Sequence, residues 1–418
     1  MRVGVTLFAQ NYSDWDRFYD GSWDDDPKVS DAQIYEEEIE IGALVEPLGF
    51  DSMWTVEHHF TPYTMDNHPL QFLSFFAGMT QRIDFGTMVV VLPWHDPLRV
   101  AEQAAMFDCF LKGRKLYLGL GRGQAPVEFE GLRVDYSESR PRMVEGLEIV
   151  KKALTQRHFA HQGRFFNIPD VSIRPQPRSS DLVDRLYMPL SSPDSAANAA
   201  EHGLNPLIIP QTDWSSHVEM LEGYNRIRME RGYGPSKPIV LLATYVHEDP
   251  EVAERVGRHH ALQYGDSAAR HYGYGLTPAE QFERMKIVPR YDAITGSETT
   301  RQFADEHQDA ADRVRRMFAE RMAKSDTGDG TPSPAQMRQR MAQQLASVHV
   351  WGTPDQVYEK IEARMVGLGA SEYCGVFKFG DMSLDVAGQS IRLFAREVLP
   401  RLHALETPPP RLPEPATR

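Results

Sequence analysis

Residues 83–111 read IDFGTMVVVLPWHDPLRVAEQAAMFDCFL, and they contain the unit on which the rest of the chain is built. The β-branched run at residues 83–92 predicts a buried strand. Apolar residues then recur at helical spacing over residues 97–111, with a proline at the first helical position. A strand followed directly by an amphipathic helix is the repeating unit of parallel α/β proteins.

The same unit recurs along the whole chain. Eight strand candidates lie at residues 2–8, 51–57, 83–92, 115–121, 186–191, 206–210, 239–246 and 373–379. The clearest helix candidates lie at residues 31–48, 97–111, 139–154, 193–202 and 383–399. Eight strands that alternate with helices favour an α/β fold of the closed (β/α)8 TIM barrel type over an open doubly wound sheet. We therefore expect one domain over residues 1–402.

Three stretches depart from this repeat. A small hairpin is predicted from residues 164–168 and 171–174, with its turn at Pro169-Asp170. A long insertion separates the seventh strand from the eighth, and its part at about residues 265–347 is expected to form a lid or mobile loop. Residues 403–418 are proline-rich and are expected to be disordered.

Composition and charge exclude several classes of protein. The 418 residues carry 45 Lys and Arg against 59 Asp and Glu, a formal net charge of −14 that would repel nucleic acid and anionic lipid. No run approaches the length of about 18 apolar residues that would span a membrane. The two cysteines, Cys109 and Cys374, and the lack of a secretory signal at the N-terminus predict a cytoplasmic protein.

Two histidines follow one another at the end of the second strand candidate, in Glu57-His58-His59-Phe60. Side chains at the carboxyl ends of barrel strands point into the mouth, where chemistry takes place. Because neighbouring strand residues face opposite sides, we do not expect His58 and His59 to hold one metal ion, and no metal site is predicted. One imidazole is a candidate acid, base or cofactor-orienting group. The alternative is a histidine with a purely structural hydrogen bond.

A candidate anion site follows the fourth and fifth strands. Arg122 lies in a glycine-rich loop at residues 119–124, where a guanidinium can bind a phosphate, although Gln124 breaks the dinucleotide pattern G-x-G-x-x-G. Ser192 and Pro193 favour a helix start, which directs free N–H groups at an anion. Each feature alone is more often a simple turn or a helix cap. Adjacent barrel strands would bring Arg122 and Ser192 to the same rim, which strengthens the interpretation as a phosphate site.

The chain resembles the bacterial-luciferase-like flavin-dependent monooxygenases. The resemblance rests on residues 49–54, 57–60, 86–93, 96–102, 119–123, 199–204 and 352–354, which match the family in order. It implies a (β/α)8 barrel that binds reduced FMN, supplied by a separate flavin reductase, and reacts it with O2 through a C4a-hydroperoxyflavin. The partners that it implies are a small organic substrate, O2, the reductase and a second copy of the chain.

The resemblance also assigns roles by position. His58 corresponds to the family's catalytic histidine beside the flavin. The positions of the FMN phosphate contacts are Arg122, Arg140, Ser192 and Ser195, and further flavin contacts fall on Gln124 and Ser191. Met88 and Val89 lie where the family has a non-prolyl cis peptide under the isoalloxazine ring.

Some features depart from the family or leave alternatives open. Luciferase has cysteine at the position of Gly121 and glutamate at that of Ser191, so light emission is not expected. The sequence therefore predicts a two-component monooxygenase that hydroxylates a small organic substrate or inserts oxygen next to its carbonyl. The alternatives are an F420-dependent oxidoreductase, a non-catalytic flavin-binding protein, and a (β/α)8 hydrolase that uses Glu57 and Asp96.

A homodimer is also expected from residues 70–79. This segment is more apolar than a single barrel-facing stripe requires. The residues concerned are Leu70, Phe72, Leu73, Phe75, Phe76 and Met79.

Overall fold

The computed structural model describes residues 1–22, 24–211, 214–273 and 334–412. Its strands are β1 (Arg2–Leu7), β2 (Ser52–Thr55), β3 (Asp84–Val91), β4 (Leu116–Gly121), β5 (Phe159–Gln162), β6 (Asn167–Val171), β7 (Leu186–Pro189), β8 (Asn205–Ile208), β9 (Ile239–Val246), β10 (Val350–Gly352) and β11 (Glu372–Val376). Eight of them form a parallel sheet in the order β9-β11-β1-β2-β3-β4-β7-β8, and β8 also pairs with β9. This pairing closes the sheet, so the predicted (β/α)8 TIM barrel is confirmed.

Helices surround the barrel. They are α1 (Trp15–Asp20), α2 (Asp31–Val45), α3 (Pro69–Met79), α4 (Pro97–Phe110), α5 (Pro126–Leu132), α6 (Ser139–Thr155), α7 (Pro193–Glu201), α8 (Trp214–Glu230), α9 (Pro250–His271), α10 (Pro334–Ser347), α11 (Pro354–Leu368), α12 (Leu384–Glu397) and α13 (Leu399–Ala404). Short 3-10 turns lie at Tyr12–Asp14, Leu92–Trp94, Tyr136–Glu138 and Leu182–Arg185.

The barrel strands are buried on both sides, as parallel strands enclosed by helices must be. Every residue of β3 and β9 is buried. Inside the barrel Trp54 is fully buried, and a Cβ on Gly86 would lie 2.2 Å from its ring. A glycine is therefore required in β3 for the indole to fill the space between two neighbouring strands.

The hairpin forms with a different register from the predicted one. β5 pairs with β6, so Pro169 and Asp170 lie within the second strand, and the turn is at residues 163–166. The carboxylate of Glu145, on α6, accepts hydrogen bonds from the backbone N–H groups of Arg164, Phe165 and Phe166. The proline is tolerated in a strand because a two-stranded edge does not need its missing N–H.

The insertion between β9 and β11 begins and ends in helices. α9 packs against α10, and β10 adds to the outside of β9 before α11 begins at a capping box of Thr353 and Gln356. The charged helix candidate at residues 299–324 lies outside the described residues. A lid over the mouth therefore stays a prediction.

The end of the chain is more ordered than the sequence indicated. Residues 399–404 form α13, and the Thr407 hydroxyl donates to the carbonyl of Ala370 at 2.7 Å. Arg411 Nε donates to the carbonyl of Gly367 at 2.7 Å. The prediction of disorder from residue 403 is therefore wrong up to residue 412, because polar groups of the tail bind carbonyl groups at the end of α11 and just after it. Residues 413–418 lie outside the described part.

None of the helices in the described ranges has the length and apolar character needed to cross a membrane.

Candidate active site

A cavity opens at the carboxyl ends of the barrel strands. Its empty volume is about 1160 Å3, including space open to solvent, which is adequate for a cofactor of nucleotide size. It is lined by all nine residues that the resemblance placed at the flavin site: His58, Met88, Val89, Arg122, Gln124, Arg140, Ser191, Ser192 and Ser195. The peptide bond between Met88 and Val89 is cis, as the resemblance implied.

Two guanidinium groups lie on the wall formed by β4 and α6. Arg122 donates to the hydroxyl of Ser139 at 3.2 Å and lies over the ring of Tyr136. Within the described residues it has no carboxylate partner. Arg140 lies 3.8 Å from Asp194, and burial, together with the charge of Arg122, lowers its pKa. Two neighbouring cations, of which only Arg140 has a carboxylate nearby, leave a positive charge that favours an anion.

The start of α7 adds hydrogen-bond donors to the same wall. Ser192 is the N-cap of this nine-residue helix, and its hydroxyl accepts from the N–H of Ser195 at 3.2 Å. The hydroxyl of Ser195 accepts in return from the N–H of Ser192 at 2.8 Å, which completes a capping box. Gln124 Nε2 donates to the hydroxyl of Ser191 at 3.4 Å. The structure thus brings the residues of the predicted anion site into one cluster at a helix N-terminus.

His58 lies in a second cluster, which the sequence did not reveal. β2 ends at Thr55, so the two histidines follow the strand instead of ending it. His58 Nδ1 lies 3.0 Å from Oε1 of Glu128, a buried residue of α5. Burial raises the pKa of Glu128, but the charges of His271 and His58 outweigh it and lower this pKa to about 2. The carboxyl is therefore ionised at neutral pH and can only accept hydrogen bonds.

The cluster is completed by the end of α9. Nε2 of His271 lies 3.1 Å from His58 Nδ1, and its Nδ1 lies 2.7 Å from the hydroxyl of Thr61. The hydroxyl of Tyr272 lies 3.4 Å from His58 Nε2. His58 thus has buried groups on its Nδ1 side and a residue of the cavity wall on its Nε2 side.

The carboxylates of the hydrolase alternative already have structural partners. Glu57 Oε1 lies 3.1 Å from His59 Nε2 and 2.7 Å from His95 Nε2, and Oε2 accepts from the N–H of Val91. Burial raises the pKa of Glu57, but the hydrogen bonds from His59 and His95 outweigh it and lower this pKa. Asp96 caps α4 by accepting from the N–H groups of Leu98 and Arg99. Glu57 lines the cavity, but both carboxylates are engaged by hydrogen bonds within the fold, which disfavours a hydrolase.

His58, Glu128 and His271 also have the residue types of a metal site. Their ligand atoms lie within 4.8 Å of one another. His59 takes no part through its ring, which faces Glu57, so the two adjacent histidines diverge as predicted. The prediction that no metal is bound stays a prediction.

Sequence reasoning missed Glu128, His271, Tyr63 and Tyr272. Glu128 occupies the first turn of α5, two residues after Pro126, where an acidic residue is explained by the preference for acidic side chains at helix starts. His271 and Tyr272 belong to the insertion, 213 and 214 residues from His58 in the chain. Of these residues, only Glu128 could have been suspected from the sequence, because it lies six residues after Arg122 in the chain.

The family model described as Luciferase-like monooxygenase matches residues 21–372. The alkanal monooxygenase alpha chain of the Kryptophanaron alfredi symbiont is 23% identical over 379 residues, 90% of this chain and 95% of that protein. The oxygenase component of the flavin-dependent trigonelline monooxygenase of Acinetobacter baylyi is 28% identical over 235 residues, 54% of this chain and 64% of that protein. An uncharacterised protein of Sinorhizobium fredii is 32% identical over 196 residues, 46% of this chain and 55% of that protein. The chain therefore spans less than two thirds of the last two relatives.

Solved structures share the fold. Monooxygenase RslO1 of Streptomyces bottropensis superposes with a TM-score of 0.70 at 21% identity, covering 96% of this chain and 100% of its own. The oxygenating constituent of 3,6-diketocamphane monooxygenase from Pseudomonas putida, in complex with FMN, gives 0.64 at 19% identity and covers 98% and 99%. An F420-dependent secondary alcohol dehydrogenase gives 0.61 at 15% identity and covers 96% and 99%. With a family model matching most of its length, the chain belongs to the luciferase-like monooxygenase family.

Proposed function

We propose that this protein is the oxygenase of a two-component flavin-dependent monooxygenase. It would bind reduced FMN delivered by a separate flavin reductase, and use O2 to hydroxylate a small organic substrate or to insert oxygen next to its carbonyl. One oxygen atom would enter the substrate and the other would leave as water. The relatives named as oxygenases support this proposal.

The observation that carries the proposal is that one cavity holds both the anion cluster and the cluster around His58. The anion cluster of Arg122, Arg140 and the start of α7 offers guanidinium, hydroxyl and helix N–H donors, which suit the phosphate monoester of FMN. Apolar side chains such as Met88 and Val89 line the same cavity and suit an isoalloxazine ring. The donor set therefore fits FMN, and His58 lines the same space.

The residues that line the cavity would have the following roles. Arg122, Arg140, Ser192 and Ser195 would hold the phosphate, while Gln124 and Ser191 would make further contacts to the flavin. Reduced FMN, when bound, supplies the two electrons that reduce O2. His58 would hold or accept a proton at Nε2, next to the hydroxyl of Tyr272.

Because reduced FMN would arrive from outside the chain, these roles call for a flavin reductase as partner. A chain that must receive reduced flavin repeatedly needs an exchangeable cofactor, and a phosphate site held by noncovalent contacts allows exchange. Both cysteines are free thiols, which suits the reducing cytoplasm that we propose as its compartment.

The test is incorporation of oxygen from 18O2. The protein is mixed with chemically reduced FMN and a panel of aldehydes, ketones and N-heteroaromatic acids, and products are analysed by mass spectrometry. One 18O atom in a product, absent without the protein, is expected. Transfer of hydride from reduced F420 without incorporation of 18O would favour the F420-dependent alternative, and flavin binding with no turnover would favour a non-catalytic flavin-binding protein.

We also propose a homodimer. Of the apolar residues expected at the interface, Leu70, Leu73 and Phe76 are buried in the core, whereas Phe75 and Met79 are exposed. Met106 and Phe110 of α4 are exposed as well, and α3 packs beside α4. These four side chains form what we term the α3–α4 patch.

A further inference from the structure

His271 connects the insertion to His58. It is the last residue of α9 and is fully buried, although it lies far from the barrel strands in sequence. We propose that His271 is a positioning residue: with Glu128 it holds His58 in the tautomer that carries a proton on Nδ1, so that Nε2 presents its lone pair beside the cavity. The inference depends on the proposed function in one respect only, which is that the proposed reaction supplies the proton that this lone pair would accept.

Glu128 determines where the ring protons lie. Its Oε1 accepts from the backbone N–H of His59 at 2.9 Å, and it lies 3.0 Å from His58 Nδ1 and 3.3 Å from His271 Nε2. An ionised carboxylate has no proton to give, so its hydrogen bond with His58 requires a proton on Nδ1. His271 Nε2 lies 3.1 Å from the same Nδ1, and it can accept from that N–H when it carries no proton itself.

The far side of His271 fits the same assignment. Burial lowers the pKa of His271, which keeps its ring neutral, so an unprotonated Nε2 leaves the ring proton on Nδ1. The hydroxyl of Thr61 lies 2.7 Å from this Nδ1 and can accept from it. Thr61 Oγ1 also accepts from the N–H of Tyr63 at 3.3 Å, which uses its second lone pair.

Aromatic packing fixes the orientation of both rings. The ring of Tyr63 stacks on His271 with centroids 4.9 Å apart and an interplanar angle of 25°, and it meets His58 edge-on at 4.9 Å. The rings of His58 and His271 are nearly perpendicular, at 82°. This packing turns the nitrogen atoms toward Glu128 and limits rotation of either imidazole.

The position of His271 depends on how the insertion packs. A Cβ on Gly265 would lie 2.4 Å from the carbonyl oxygen of Ala342, so the backbones of α9 and α10 are in close contact. Asp266 binds Arg270 of α9 at 2.7 Å and Arg338 of α10 at 3.1 Å. His271 is therefore carried by a closely packed helix pair. The tautomer of His58 then depends on how that helix pair packs against the barrel.

The test observes the tautomer directly. The full chain is labelled with 15N in its histidine rings, with and without bound FMN, and the signals of His58 are assigned through the H58Q variant. We expect a protonated Nδ1 and an unprotonated Nε2 in the wild type. In H271F, which keeps the stacked ring but removes both nitrogens, we expect a mixture of tautomers.

Two further variants make the comparison specific. The substitution H271Q keeps a side-chain oxygen that can accept from His58 Nδ1–H, so it should restore the Nδ1–H tautomer. H161F removes another buried imidazole beside a carboxylate, since His161 Nε2 lies 3.3 Å from Glu145 outside the cavity, and it should leave His58 unchanged. With a substrate found by 18O2 incorporation, H271F should lower product per reduced FMN about tenfold, while FMN affinity changes less than about twofold.

Several results would overturn the inference. They are a proton on Nε2 of His58 in the wild type, or an unchanged tautomer in a folded H271F protein. A stoichiometric metal ion held by His58, Glu128 and His271, detected by elemental analysis, would also overturn it because the metal would occupy those nitrogens. If FMN does not bind, the proposed function fails, but the tautomer measurement still decides this inference.

Discussion

Arg122 provides the most direct test at the scale of a single residue. Its guanidinium lines the cavity and has no carboxylate partner within the described residues, so a phosphate would be its counter-charge. Replacing it with alanine should remove a charge-assisted contact of about 1.5 to 3 kcal/mol, which weakens FMN binding by about 10-fold or more. Fluorescence titration with FMN and with riboflavin, which lacks the phosphate, measures the difference.

The matched control for Arg122 is Arg142. Arg142 lies on α6 two residues after Arg140, but its guanidinium binds Glu138 and stacks on Phe165. Arg142→Ala should leave both flavin affinities unchanged. Equal weakening of FMN and riboflavin by Arg122→Ala would refute the phosphate assignment.

His58 is expected to act in the reaction and to contribute little to flavin binding. His58→Ala should leave FMN affinity nearly unchanged and cut 18O-labelled product by about 10² to 10⁴ fold, while release of hydrogen peroxide rises. His59→Ala serves as the control, because that ring contacts only the structural carboxylate Glu57 among the hydrogen bonds described. If His58→Ala instead lowers thermal stability, affinity and product together, its role is structural.

Glu128 should make the stability of the fold depend on acid. A carboxyl whose pKa in the folded chain is lowered to about 2 stabilises the fold above its unfolded pKa, and this stabilisation is lost as the pH falls toward 2. Glu128→Gln should therefore lower the free energy of unfolding by about 1–3 kcal/mol at pH 7, and by progressively less below pH ~4.5. Urea unfolding across this range, with the exposed Glu148→Gln as control, measures it. Parallel curves for wild type and Glu128→Gln would contradict the assignment.

These residues also show how far the sequence could be used to predict the site. Arg122 and Ser192 each follow a barrel strand, and strand order alone brings such positions to one rim. Glu128 and His271 reach His58 across 70 and 213 residues, through helices whose packing no local pattern encodes. The sequence therefore predicted the groups for an anion and the candidate catalytic histidine, but not the groups that orient it.

At the scale of elements, the eight barrel strands and the five helices that were given bounds were predicted to within a few residues, because hydrophobic periodicity sets them locally. The hairpin shows where such reasoning fails. A proline next to an aspartate signals a turn, but the side chain of Glu145, on another element, holds the turn at residues 163–166 instead. The tail departs for the same reason, since its polar groups find partners on distant barrel loops.

The role of Glu145 can be measured. Glu145→Ala removes the acceptor of three backbone N–H groups, so amide exchange at residues 164–166 should rise by at least about tenfold, which corresponds to about 1.4 kcal/mol. Exchange in the barrel strands and FMN affinity should not change. Unchanged exchange at the turn would mean that the pairing of β5 with β6 alone holds it.

At the scale of the whole molecule, the α3–α4 patch provides the test of the homodimer. Phe75 and Met79 are 50% and 52% exposed, and Met106 and Phe110 are 43% and 48% exposed. The i, i+4 spacing puts each pair on one face of its own helix, α3 packs beside α4, and exposed apolar residues on neighbouring helices favour an interaction site. We expect a dimer at micromolar concentration by light scattering.

The double variant F75E/F110E should raise the dissociation constant by at least about 100-fold, because each subunit would bring two unpaired charges into the interface. Met229→Glu, which changes a single exposed apolar side chain on α8, should leave the dimer intact. A wild-type monomer, or a dimer that survives F75E/F110E, would show that α3 and α4 do not form the interface.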